Sequence, residues 1–133
     1  MTDLVLVDTN VILDVTDGDP LWLEWSAERM ISLTRKLVIN PIIYTELCHQ
    51  AGQIDEVEAM IPSLGLLYHE LPKESLFLAS QAYRTYRSRG GLKTAPLADF
   101  FIGAHAQAGG FQLLTRDVNR YRTYFPGVPL IHP

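Results

Sequence analysis

A doubly wound, parallel α/β sheet is the fold this sequence predicts, and three observations predict it. Apolar runs of a few residues recur along the chain, as they do where a strand is buried on both faces. Stretches with helical spacing separate them, and such alternation implies parallel βαβ units with right-handed crossovers. The chain has 133 residues, 47% hydrophobic and 20% charged, which suffices for one core without a disulfide or metal staple. The expected unit is a single domain over residues 1–133.

Leu4-Val5-Leu6-Val7 is the first strand, ended by Asp8. The helix that follows is broken by the turn residues Asp17-Gly18-Asp19-Pro20, and helical spacing resumes over 21–36. Leu37-Val38-Ile39 is the second strand. Asn40-Pro41 then reads as an N-cap followed by proline at the first helical position, opening helices over 41–50 and 53–61. Leu66-Leu67-Tyr68 is a third strand. A long amphipathic helix covers 73–89, with Leu76, Ala79, Ala82, Tyr83 and Tyr86 near helical spacing, and Gly90-Gly91 stops it. A helix over 96–108, beginning at Pro96, ends at Gly109-Gly110. Residues 111–114 form the fourth strand, 117–124 a short helix and 128–131 the fifth strand. In this architecture ligands bind at the carboxyl ends of the strands, where the strand order reverses. In the usual order the fourth strand neighbours the first.

Charge is unevenly divided. The net charge is −4, yet residues 1–72 carry 3 basic and 12 acidic side chains whereas 73–133 carry 8 basic and 3 acidic. Such asymmetry suits a polyanion-binding surface beside an acidic pocket, although halves of a sequence need not become faces of a molecule. The single cysteine, Cys48, excludes an internal disulfide framework and a cysteine-based zinc site. No apolar run approaches the ~18 residues of a membrane span, and the start lacks a basic signal-peptide region. The expectation is a soluble, cytoplasmic protein with no membrane partner.

Four acids fall near the carboxyl edge of the expected sheet. Asp8 directly follows the first strand, where it would serve either a ligand site or the cap of the next helix. Glu46 shares a helix side with Ile42 and Ile43, or lies at that helix's exposed border. Asp99 sits in Pro96-Leu97-Ala98-Asp99-Phe100-Phe101-Ile102-Gly103-Ala104, a helix apolar nearly all round. A buried charge there needs a cation, donors or a solvent cleft, or else the first turn simply favours an acid. Asp117 follows the fourth strand, where it would flank Asp8 or cap the next helix. Crowded carboxylates raise one another's pKa unless a cation intervenes, and Mg²⁺ or Mn²⁺ accepts such oxygen ligands. His49, His69, His105 and His132 show no paired ligand spacing. A cation held by acids points to metal-assisted phosphodiester hydrolysis. Arg84, Arg87, Arg89 and Lys93, together with Arg116, Arg120 and Arg122, would hold the phosphate backbone. Tyr83, Tyr86, Tyr121 and Tyr124 interleave with them and would either stack on bases or pack in the core. Trp22 and Trp25 would serve an interface or the core equally well.

The sequence resembles the PIN domain family, and within it the VapC-like toxins of toxin–antitoxin pairs. The resemblance rests on Val7-Asp8-Thr9-Asn10-Val11-Ile12-Leu13-Asp14, on Ala98-Asp99-Phe100-Phe101-Ile102-Gly103-Ala104 and on Leu114-Thr115-Arg116-Asp117, in that order along nearly the whole chain. It implies a three-layer α/β/α sandwich around a five-stranded parallel sheet, and an Mg²⁺- or Mn²⁺-dependent endoribonuclease. By position Asp8, Glu46, Asp99 and Asp117 match the family's acidic quartet, with Asp8, Asp99 and Asp117 as the metal ligands. Asn10 and Thr115 match its supporting polar residues. The resemblance also implies a homodimer and a cognate antitoxin. With RNA as substrate, the basic residues expected at it are Arg116, Arg84, Arg87 and Arg89. The alternatives are a PIN-like RNA-processing nuclease outside any toxin–antitoxin pair, a phospho-aspartate phosphotransfer or signalling module, and a binding module without catalysis. Asp8-Thr9-Asn10 has Asn10 where a phospho-aspartate enzyme would want a second aspartate, and a receiver's adjacent acids and late lysine are missing.

Overall fold

A computed structural model describes residues 2–92 and 97–133. Lys93 and the expected helix start at Pro96 lie outside the described residues. Five strands, β1 (Val5–Val7), β2 (Leu37–Ile39), β3 (Leu67–Tyr68), β4 (Gln112–Leu114) and β5 (Leu130–Ile131), form one sheet in the order β3-β2-β1-β4-β5. Every pairing is parallel, with Leu6 opposite Val38 on one side and Leu113 on the other. All residues of β1 and β2 are buried, so both faces of the sheet are covered.

The connections are helical: α1 (Thr9–Thr16), α2 (Leu23–Ser32), α3 (Pro41–Leu47), α4 (Ile54–Ser63), α5 (Lys73–Ser88), α6 (Leu97–Gly109) and α7 (Asn119–Tyr124). The expected alternation and all five strands are present, and boundaries move for local reasons. Asp19 Oδ1 accepts hydrogen bonds from the Leu21 and Trp22 amides, so α2 begins late. It ends early because the chain turns through Arg35, at φ 73°, before entering β2. The helix expected over 41–50 closes as a 3₁₀ turn, Cys48–Gln50. The two outer strands are two residues long, and β3 is exposed.

The winding reverses between β1 and β4, which places the ends of these two strands at the switch point of the sheet. Asp8 N donates to Leu114 O at 2.9 Å, closing the pairing just beyond β1. Two further elements reach this edge. Asn40, wholly buried, caps α3 by accepting from the amides of Ile42 and Ile43 at 3.0 and 2.9 Å. Its Nδ2 lies 3.0 Å from His105 Nδ1 on α6. The amide must donate, so His105 accepts at Nδ1 as a neutral ring, and burial lowers its pKa to about 4. This bond ties α3, which carries Glu46, to α6, which carries Asp99. Gly103 lets α6 approach Phe125: a Cβ there would lie 2.3 Å from that ring.

Asn40→Ala removes a helix cap and leaves buried groups unpartnered. The expected loss is about 2–4 kcal/mol, measured by urea unfolding.

Candidate active site

The chain brings the four expected acids to one cleft. Its volume is about 300 Å³, and Asp8, Asn10, Glu46, Asp99 and Asp117 line it together with Thr9 and His49. Asp8 is 5% exposed at the end of β1. Three donors converge on a single oxygen of its carboxyl: Thr115 Oγ1 at 2.7 Å, Tyr121 Oη at 3.1 Å and Asn10 Nδ2 at 3.5 Å, all to Oδ2. Among the described residues none reaches Oδ1. Burial raises the Asp8 pKa to about 6; the Thr115 and Tyr121 bonds pull it down, and the charges of Asp99 and Glu46 push it further up. Burial and the neighbouring acids keep the Tyr121 hydroxyl well above its ordinary pKa, so it remains a donor.

Glu46 comes from the last turn of α3, and Thr9 Oγ1 donates to its Oε1 at 2.6 Å. Asp99 stands in the first turn of α6. Burial raises its pKa, Arg120 lowers it, and Asp117 and Glu46 raise it. Asp117 is exposed in the loop after β4, and its amide donates to Thr115 Oγ1 at 3.0 Å. Thr115 therefore holds Asp8 and the Asp117 loop with one hydroxyl.

These are hard oxygen donors in mutual repulsion, which suits a divalent cation. The Asn10 Oδ1 atom is buried at this cleft without a hydrogen-bond partner, an acceptor left for an incoming donor such as metal-bound water. Among the described residues, no three acidic, histidine or cysteine side chains close on one point tightly enough to hold an ion unaided. Mg²⁺ binds through one or two carboxylates and keeps several waters, so the donor set fits an ion held partly through its hydration shell.

Arg116, expected at the RNA, pairs with a buried aspartate. Its Nε and Nη2 donate to Asp14 Oδ2 and Oδ1 at 2.7 and 2.9 Å, and its guanidinium lies 5.0 Å from the centre of the Trp22 ring. Asp14 is 3% exposed and also accepts from Ser26 Oγ at 2.6 Å. The pair fastens the loop bearing Asp117 to α1 and α2. Trp22 and Trp25 are half-buried and meet edge to face at 6.2 Å. Arg84 and Arg87 are exposed on α5 and Arg89 just beyond its end; among the contacts of the described residues, Arg89 lies over Tyr124 at 5.8 Å, in the aromatic group beside the acids. Three contacts escaped the sequence reading: Thr9 with Glu46, Tyr121 donating to Asp8 rather than to a base, and Arg120, expected at phosphate, whose Nη1 meets Asp99 Oδ2 at 3.4 Å. Thr9 lies inside the motif around Asp8, which is the one local signal that was available.

The PIN domain family pattern matches residues 5–126. The chain belongs to the PIN domain family. PIN domains are generally nucleases. Among curated proteins no match is found. Solved structures share the fold. A chain of VapBC2 from Rickettsia felis, bound to a DNA fragment from its promoter, superposes with a TM-score of 0.73 at 15% identity, over 97% of this chain and 98% of that one. DNA-bound VapBC from Salmonella typhimurium gives 0.73 at 17% identity, over 98% of each chain. VapBC-1 from nontypeable Haemophilus influenzae gives 0.71 at 21% identity, over 97% of each. The three-layer PIN architecture with its parallel five-stranded sheet is thus the one seen in VapC-type structures. No helix among the described residues is long and apolar enough to cross a membrane.

Two predictions follow from this PIN site. The folded Asp8 pKa lies above the ordinary 3.8, so the charged carboxylate destabilises the metal-free fold above pH 6, and this loss fades as pH falls from about 6 to 3.8. Asp8→Asn should therefore stabilise the protein in EDTA at pH 7 by roughly 1–3 kcal/mol, with thermal scans showing a smaller gain at pH 4.5. Arg116→Gln strands the Asp14 charge, and urea unfolding should show a loss of about 3 kcal/mol or more.

Proposed function

We propose that this single PIN domain is a metal-dependent endoribonuclease and the toxin of a VapBC-type toxin–antitoxin pair. The observation that carries the nuclease reading is the convergence of Asp8, Glu46, Asp99 and Asp117 on one cleft, with Asp8 pinned at one oxygen only. Asp8, Asp99 and Asp117 would hold Mg²⁺ or Mn²⁺, in part through water. A divalent ion bound there lowers the pKa of its water and offsets charge gathering on the phosphodiester.

The side chains divide the remaining work. Thr115, Tyr121 and Asn10 hold Asp8 Oδ2 and leave Oδ1 for the incoming cation. Thr9 fixes Glu46 Oε1, so Oε2 orients the attacking water and receives its proton. The water oxygen bonds to phosphorus as the bond to the 3′ oxygen breaks; that oxygen takes a proton from solvent, leaving a 5′-phosphate and a 3′-hydroxyl. The exposed arginines of α5 would hold the RNA backbone. The complexes to which the fold is similar, VapBC and FitAB, are pairs, which supports a cognate antitoxin as partner. A homodimer and a cytoplasmic location complete the reading.

The test is cleavage of total cellular RNA, with the ends mapped. Wild type with Mn²⁺ should yield 5′-phosphate ends, and EDTA should stop it. Asp99→Asn and Glu46→Gln should each lower cleavage at least about 100-fold, with unfolding midpoints near wild type. Undiminished cleavage by either folded variant would remove the mechanism.

A further inference from the structure

A second cleft of about 460 Å³ adjoins the acidic one and shares Asp99 and Asp117 with it. Tyr86, Asn119, Arg120, Thr123 and Tyr124 form the rest of its wall. Its size falls in the ~300–1,000 Å³ range of small-ligand sites. The geometry points to a nucleotide subsite: this cleft takes one unpaired RNA nucleotide next to the scissile phosphate, with its base against the tyrosines and its phosphate on Arg120. The inference rests on the ribonuclease reading and assigns it a place for substrate.

Arg120 is built for such a contact. Its guanidinium lies 5.4 Å from the centres of both the Tyr86 and Phe100 rings, two contacts that restrict its position. Among the described residues its one ion pair is a single contact to Asp99 at 3.4 Å, so most of its five donors are uncommitted. A guanidinium edge suits phosphate oxygens. Divalent charge on Asp99 would weaken that pair and release Arg120 toward the phosphate.

The aromatic wall is equally fixed. The Leu92 amide donates to Tyr86 Oη at 3.1 Å, and Gly91 packs so closely that a Cβ would lie 2.4 Å from Tyr86 Cε2. Tyr86 meets Phe100 at 5.3 Å and Tyr124 at 6.0 Å. A rigid ring forfeits little entropy when a base stacks on it. Arg89, exposed over Tyr124, adds a second cation at the mouth. Asn119 and Thr123 add polar groups to the wall, with Thr123 Oγ1 donating to Asn119 O at 2.8 Å.

The test uses the Asp8→Asn protein, in which the RNA survives, and a single-stranded RNA that wild type cleaves, carrying 4-thiouridine beside the cut. Ultraviolet cross-linking should map to Tyr86 or to residues 119–124. Adding Arg120→Gln should weaken equilibrium binding about tenfold, and Tyr124→Leu should remove the cross-link. Lys73→Gln removes the same charge at the exposed first residue of α5 and should stay within about twofold. If wild type cleaves this RNA with Mn²⁺ while cross-links fall elsewhere and Arg120→Gln binds like its parent, the subsite is wrong and the nuclease reading stands. If wild type cleaves no RNA in a cellular pool, both fall together.

Discussion

Asp8 is buried at the point where the sheet reverses its winding, and a buried carboxylate must be given donors, a proton or a cation. The surroundings supply the first of these on one side only. Thr115, Tyr121 and Asn10 converge on Oδ2, while Asp99 and Glu46 oppose its charge from across the cleft. Each stabilising contact comes from a different element: the strand end of β4, helix α7 and helix α1. The fold is thus arranged around a charge it only half satisfies, and the unsatisfied half faces the cleft. The cation proposed for this cleft would relieve that residual electrostatic conflict on binding.

The same edge needs rigid neighbours, since repelling groups would otherwise move apart. Two buried polar ties supply them. Asn40 and His105 lock the helices that carry Glu46 and Asp99. Asp14, Arg116 and Ser26 lock the loop that carries Asp117. Neither tie touches the cleft centre, and each holds an acid against its neighbours.

The strands and the acids were legible because both obey local rules. Three-residue apolar runs declare fully buried parallel strands, and the ends of β1 and β4 are where such sheets bind ligands. Asp99 declared itself as a charge inside an apolar helix. The partners of these acids were not legible, because they depend on side-chain reach across distant segments. Arg116 and Arg120 stand four residues apart in a basic stretch, yet one is spent on a buried aspartate 102 residues away and the other leans on Asp99. Tyr121 reads like its aromatic neighbours in sequence and ends up 1% exposed beneath Asp8. Helix ends also shifted, through the Asp19 cap and the left-handed turn at Arg35.

The outermost strands, β3 and β5, are each only two residues long, and β5 is bracketed by Pro129 and Pro133. Such stubs offer almost no main-chain template, so an added strand from another molecule would find little to pair with. The companion polypeptide proposed above would therefore be met by side chains on helices and loops, a mode that reads sequence more than backbone.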